Sequence, residues 1–233
     1  MTAVPRFFLF VALGAASAPA QTVAPSKVNT PQPGAGRWEA KMKEYEAQDA
    51  AGQVARGQIL FIGSSSITRW KLDDYFTRRD LVNRGFGGSL LRQVADLAER
   101  YVTTIAPRQI VVYAGENDIA SGRTPEQVLE AFQDLIAKIR AKQPDVPVLF
   151  ISLKPSPLRW NLAAAFREAN RLIADEIQRL PNVKYVDVFG PMLNAQGEPR
   201  PELYVDRLHM TPEGYRIWVA ILEPLLLPEV PRP

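Results

Sequence analysis

The sequence contains no cysteine and only one histidine, His209. The first absence excludes disulfides, thiolate metal sites, a cysteine nucleophile and thioether lipid anchors. The second excludes any metal centre built on two or three imidazoles. No block of like charge stands out either, since 28 Lys and Arg against 25 Asp and Glu leave a net charge of +3. A nucleic-acid binder carries a basic stripe that this balance does not supply, so no nucleic-acid partner is expected. No apolar run approaches the ~20 residues that span a bilayer. What is present is 233 residues, 46% hydrophobic and 23% charged, enough for one domain with a sizeable core.

The N-terminus has a character of its own. Arg6 precedes an apolar stretch, Phe7 to Ala18, which ends in the small residues Ala18-Pro19-Ala20. A basic start, a short apolar run and an A-x-A site describe a secretory signal peptide. Residues 1–20 are therefore expected to be removed on export to the periplasm or the medium, with no stable membrane insertion afterwards. Residues 21–36 hold Pro25, Pro31, Pro33, Gly34 and Gly36 with almost no large apolar side chains, and read as a flexible leader. Residues 37–233 read as a single domain.

Within that domain short apolar runs alternate with helical periods. Arg37 to Ala50 reads as a helix, Gln58 to Ile62 as a buried strand and Asp80 to Asn83 as a weaker one. Leu91, Val94, Leu97 and Tyr101 recur at three- and four-residue spacing inside a helix over 90–105,. A strand over Gln109 to Tyr113 follows. Thr124-Pro125-Glu126-Gln127 then offers an N-cap, a proline at the first helical position and a capping-box glutamine,. Val128, Phe132, Leu135 and Ile139 form the buried face of that helix. Strands over 146–152 and 183–188 flank a helix over 161–180, and Thr211-Pro212 opens a last helix towards Leu226. Apolar strands alternating with helices of this length predict a doubly wound α/β fold, a three-layer α/β/α sandwich on a five-stranded parallel sheet.

In such a sheet ligands bind outside the carboxyl ends of the strands. The segments there are Gly63-Ser64-Ser65-Ser66, Asn83 to Gly88, Gly115-Glu116-Asn117-Asp118 and Asp206-Arg207-Leu208-His209. Each has a plain reading by itself: serines that cap a helix, glycines in a tight turn, an Asx turn, a surface histidine. The glycine segment fails the dinucleotide pattern, because Leu90 holds its sixth position,. Taken together, however, the four loops hold a hydroxyl, a flexible backbone donor, a side-chain amide and an Asp-His pair.

These four segments, in this order, resemble the four blocks of the SGNH hydrolases, the GDSL-like esterases and lipases. The resemblance covers residues 58 to 226. It departs from the usual pattern where Ser64 replaces the aspartate of the first block and Glu116 the second glycine of the third. It implies a flavodoxin-like sheet and ester hydrolysis through an acyl-enzyme, with no metal and no cofactor. Carried over by position, Ser65 is the nucleophile, with Ser64 and Ser66 as alternatives, and His209 is its base, oriented by Asp206. The oxyanion donors are the N–H groups of Ser65 and Gly88 and the amide of Asn117. The substrates implied are small-molecule or lipid esters, among them lysophospholipids, thioesters and short-chain esters. The alternatives are a carbohydrate O-acetylesterase and a silent binding protein on the same fold. Oligomeric state is not legible.

One segment lies outside the four blocks. Lys154 to Trp160 leaves the end of the fourth strand with two prolines, two cations and a tryptophan. Lys154, Arg159 and Trp160 are expected to line the substrate pocket and favour an anionic ester. The competing expectation is that the prolines only end the strand, with Lys154 and Arg159 solvated or paired to acids such as Glu116 or Asp118.

Overall fold

The computed structural model describes Met1 and residues 35–229. The signal peptide expected beyond Met1, the leader up to residue 34 and the last four residues lie outside the described residues. A 3-10 turn over Ala35–Trp38 leads into α1 (Glu39–Ala50). The chain continues through β1 (Ile59–Gly63), α2 (Ser65–Thr68), β2 (Leu81–Gly85), α3 (Leu91–Tyr101), β3 (Gln109–Tyr113) and α4 (Glu116–Ala120). It closes with α5 (Pro125–Lys142), β4 (Val148–Ile151), α6 (Ala163–Ile177), β5 (Val183–Val186) and α7 (Pro212–Leu222). The five strands form one sheet in the order β2-β1-β3-β4-β5, every pair parallel. Winding reverses between β1 and β3, where the chain steps out to β2 and returns across β1.

Strand residues alternate between two cores, as a period of two requires. Leu60, Ile62, Ile110, Val112, Val148 and Phe150 face α3, α5 and α6. Ile59, Phe61, Val111, Tyr113, Leu149 and Ile151 face Trp70, Tyr215 and Trp218 on the other side. Burial on both faces is why the central strands are apolar throughout. The helix starts follow their local chemistry. Thr124 accepts from the Gln127 N–H at 3.3 Å while the Gln127 side chain accepts from the Thr124 N–H at 3.0 Å, and Thr211 caps α7.

Element edges depart from the sequence reading in one instructive place. The second strand runs two residues further than expected, so Arg84 lies in β2 rather than in a loop, and it is 1% exposed. Its guanidinium pairs with Asp49 at the end of α1 and donates to the Tyr101 carbonyl at 2.7 Å. A buried charge with both partners supplied fastens α1 to the sheet. Asp80, expected in the strand, instead takes Arg78 and Arg108 just before it.

A second carboxylate sets a helix at the opposite end of the sheet. Asp118 in α4 accepts from the Leu91 N–H at 2.8 Å, satisfying a donor in the first turn of α3,. Burial pushes its pKa up to about 6, against the opposing effect of that donor. A carboxyl raised on folding holds a proton in the folded chain where the unfolded chain has lost it. Its contribution to stability is therefore greatest below the unfolded value and is lost as pH rises through about 6,. The size is on the order of 3 kcal/mol. Urea unfolding of wild type and Asp118→Asn, which keeps an acceptor for Leu91, should show the wild type losing ground to the variant between pH 4 and 7. A difference that stays constant over that range would refute the assignment.

Candidate active site

Gly63 ends β1 at a φ of +137°, a conformation that favours glycine,. Space demands glycine as well, because a Cβ there would lie 1.9 Å from the Tyr113 carbonyl oxygen. That carbonyl instead accepts from the Ser64 N–H at 3.0 Å. The chain therefore leaves the sheet hard against β3, and α2 begins at once with Ser65 as its first residue. The three serines are then sorted by burial. Ser64 and Ser66 are 3% exposed, and the Ser66 carbonyl accepts from the Tyr215 hydroxyl at 2.8 Å. Ser65 alone is half-buried, and its Oγ lies 3.1 Å from Nε2 of His209.

His209 arrives on a tightly closed loop. The Val205 N–H donates to the His209 carbonyl at 2.8 Å, and Tyr204 and Met210 form a bridge outside it. Arg207 at its apex has a φ of +66°, strained for a residue with a side chain. In return the loop wraps one carboxylate. Oδ1 of Asp206 accepts from the N–H groups of Leu208 and His209 at 3.1 and 2.7 Å, and Oδ2 lies 2.6 Å from Nδ1 of His209. Slight burial opposes ionisation of Asp206, but the His209 backbone and ring and the Leu208 N–H outweigh it and hold its carboxyl well below the usual range. An ionised carboxylate on Nδ1 fixes the proton there and leaves Nε2 as an acceptor facing the Ser65 hydroxyl. Such a chain of contacts can take a proton from a hydroxyl as that hydroxyl attacks a carbonyl.

N–H groups that could meet such an oxyanion lie beside it. The turn after β2 brings Gly87 close enough that a Cβ on it would be 3.8 Å from the Ser65 Cα. Gly88, next in the chain, has a φ of +77°, and among the described residues neither its N–H nor that of Ser65 has a hydrogen-bond acceptor. Asn117, early in α4, reaches the same turn from β3, its Nδ2 donating to the Ser89 carbonyl at 3.0 Å. The second Nδ2 hydrogen remains available, since an amide nitrogen carries two.

Beneath Asn117 lies a group of charges. Glu116 is 4% exposed, and its Oε2 accepts from Lys154 Nζ at 2.8 Å and from the Tyr113 hydroxyl at 2.6 Å. Its Oε1 accepts from Arg159 at 3.1 Å. Burial works against the charge on Glu116, yet Lys154 and Arg159 prevail and hold its carboxyl below the ordinary value. Of the three residues expected to line a pocket, Lys154 is 1% exposed and turned inward to Glu116. Trp160 packs towards Phe189, its ring centroid 6.4 Å away, with Arg167 over its face. Only Arg159 reaches the site, where its Nη2 donates to Oδ1 of Asn117 at 3.0 Å. For both cations the structure has the pairing alternative, with Glu116. The sequence held a signal for this, a carboxylate where the resembled pattern has glycine and two cations after the next strand. The role of the Ser89 carbonyl had none, because any residue supplies a carbonyl. Among the described residues no group of His, Asp and Glu is placed to hold a metal ion, and no helix is long and apolar enough to cross a membrane.

Comparison with known proteins bears on this geometry. The profile of the GDSL-like Lipase/Acylhydrolase family matches residues 63–217. The chain is 28% identical over 169 residues to platelet-activating factor acetylhydrolase IB subunit alpha2 of Rattus norvegicus, covering 67% of this chain and 70% of that one. It is similar in fold to a solved structure from Streptococcus pneumonia named for platelet activating factor, with a TM-score of 0.74, 22% identity and coverage of 82% and 94%. A GDSL-like lipase of Bacteroides thetaiotaomicron gives a TM-score of 0.64, with 22% identity and coverage of 80% and 97%.

The burial of the three serines yields a direct expectation. Ser65→Ala should lower hydrolysis of a chromogenic acetate ester by roughly three orders of magnitude or more. Ser64→Ala and Ser66→Ala should stay within about tenfold of wild type, since other nucleophile-sized losses are reserved for the attacking group. Loss of activity in Ser64→Ala or Ser66→Ala with retention in Ser65→Ala would move the nucleophile to a neighbour.

Proposed function

Because this chain belongs to the GDSL-like lipase/acylhydrolase family and is an ester-hydrolysing enzyme, we propose that it works through an acyl-enzyme on Ser65, with short acyl esters as substrates. The observation that carries this reading is the unbroken line from Ser65 Oγ to His209 Nε2 at 3.1 Å and from His209 Nδ1 to Asp206 Oδ2 at 2.6 Å. In the first half-reaction Ser65 Oγ bonds to the ester carbonyl carbon and its proton passes to His209 Nε2. The carbonyl oxygen becomes an oxyanion, met by the N–H groups of Ser65 and Gly88 and the free Nδ2–H of Asn117. As the ester C–O bond breaks, the leaving alcohol takes the proton from Nε2. Water repeats the sequence on the acyl-enzyme: its proton goes to His209, its oxygen bonds to the acyl carbon, and Ser65 leaves with the proton restored. Asp206 stays ionised throughout and stabilises the imidazolium in each half.

Two features support the finer parts. A short acyl group, acetyl above all, is supported by the relative of Rattus norvegicus at 28% identity, which is named as an acetylhydrolase. Export to the periplasm or medium follows from Arg6, the apolar stretch after it and Ala18-Pro19-Ala20,.

An alkyl phosphonate ester that traps serine nucleophiles provides the test. It should add to the peptide containing Ser65 in wild type, read by mass, and the His209→Ala variant should react at least about a hundredfold more slowly. An enzyme that hydrolyses the ester without a trappable Ser65, or whose His209→Ala variant is trapped as fast as wild type, would contradict the proposal.

A further inference from the structure

Every donor and acceptor around Asn117 bears on which way its amide faces. A side-chain amide fits almost equally well after a half-turn about its last bond, and the two orientations exchange a donor for an acceptor. For Asn117 they are far from equivalent. Its nitrogen side meets the Ser89 carbonyl at 3.0 Å, which only accepts. Its oxygen side meets the guanidinium of Arg159 at 3.0 Å, which only donates,. Turned over, the amide would set oxygen against oxygen and N–H against N–H. We infer that Arg159 is a positioning residue for ester hydrolysis, locking Asn117 with its free N–H towards the oxyanion and strengthening that N–H as a donor. The inference rests on the oxyanion role proposed for Asn117.

The construction behind Arg159 suits this task. Glu116 holds the guanidinium from the far side at 3.1 Å and is itself held by Lys154 and Tyr113. The backbone that carries both cations is pinned as well. Asn170 of α6 accepts from the Leu153 N–H at 2.8 Å and donates to the Leu153 carbonyl at 2.9 Å. Further along, the Leu158 N–H donates to the Arg207 carbonyl at 3.0 Å, tying the segment to the His209 loop. Arg159 therefore cannot swing away without breaking contacts on both sides. A charged donor on Oδ1 also polarises the amide, so that its N–H carries more positive charge. Finally, two cations share the single carboxylate of Glu116. Among these three groups one positive charge is left over, and Arg159 brings it against the Asn117 amide, a stabilisation that under the proposed role is exerted mainly in the transition state.

A double-mutant cycle tests the inference. Turnover and KM on a neutral acetate ester are measured for wild type, Arg159→Ala, Asn117→Ala and the double variant, with melting temperature followed on each preparation. Asn117→Ala should lose about 10²–10³ in kcat. Arg159→Ala should lose about ten- to a hundredfold in kcat with KM within about threefold, a loss confined to the transition state. In the double variant, removing Arg159 should cost no more than about twofold beyond Asn117→Ala alone, because the two act as one unit. Arg159→Lys, which keeps the charge and one donor, should recover part of the rate, and it serves the cycle if Arg159→Ala does not fold. Losses that multiply in the double variant would overturn the inference while leaving the oxyanion role of Asn117 intact. So would a loss that appears in KM and is larger for an anionic ester, which would make Arg159 a substrate contact. An Asn117→Ala enzyme with unchanged kcat would remove the oxyanion role itself, and the inference with it.

Discussion

The catalytic edge depends on β1 and β3 being able to touch where β1 ends. At Gly63 the strands approach until a single methyl group would overlap the Tyr113 carbonyl. This contact sits where the winding of the sheet reverses, the place where loops from adjacent strands diverge and leave a crevice. Ser65 leaves one lip of that crevice and Asn117 the other, with the glycine turn after β2 between them. Any side chain at position 63 would push β1 from β3 and separate the Ser65 hydroxyl from the Asn117 amide, which under the proposed mechanism act on the same carbonyl. A separation of about 1 Å is enough to lower rates by a hundredfold in reactions that rely on prior alignment. The glycine therefore sets the geometry of this edge through backbone packing, two residues from the Ser65 hydroxyl.

Two carboxylates near this crevice stay ionised by different means and serve different ends. Asp206 has a side chain 48% exposed and is wrapped by N–H donors of its own loop. Water can screen it, so its value lies in orienting His209 rather than in long-range attraction. Glu116 is almost wholly enclosed and kept charged by two cations. Buried ion pairs contribute little net stability, because desolvation offsets their attraction. The presence of three charges there is better explained by orientation, since each has a fixed partner that an apolar replacement could not provide. Asp118, two positions after Glu116, is the contrasting case: burial outweighs its N–H donors and Arg123, and its pKa rises.

Much of this was legible in the sequence, and the reasons differ by level. Strand alternation is a local pattern, so β1, β3 and the buried face of α5 follow from Gln58 to Ile62, Gln109 to Tyr113 and the Val128-Phe132-Leu135-Ile139 spacing. The short helices α2 and α4 were not foreseen, because four or five residues make too few turns to show a period. Arg84 was misplaced because a charged residue reads as exposed unless its partner is known, and Asp49 lies 35 positions away. The line from Ser65 to Asp206 was expected from the order of the blocks, and the residues do meet. The segment after β4 was read two ways, as a pocket lining that favours an anionic ester and as a strand end whose cations pair with acids such as Glu116 or Asp118. Its cations turn inward because Glu116, too costly to bury alone, draws them there, a choice that depends on two loops meeting in space.

The enclosure of Glu116 also bears on how such a site can drift by descent. Removing Glu116 would leave the buried Lys154 without its carboxylate, at a cost of about 3–5 kcal/mol. That is a large share of the roughly 5–15 kcal/mol that keeps a domain folded. Positions 116, 154 and 159 thus form a block in which a change at 116 is costly unless the cations follow. Lineages that keep glutamate before the asparagine should keep both cations, and lineages that lose it should lose them together, covariation imposed by solvation rather than by the substrate.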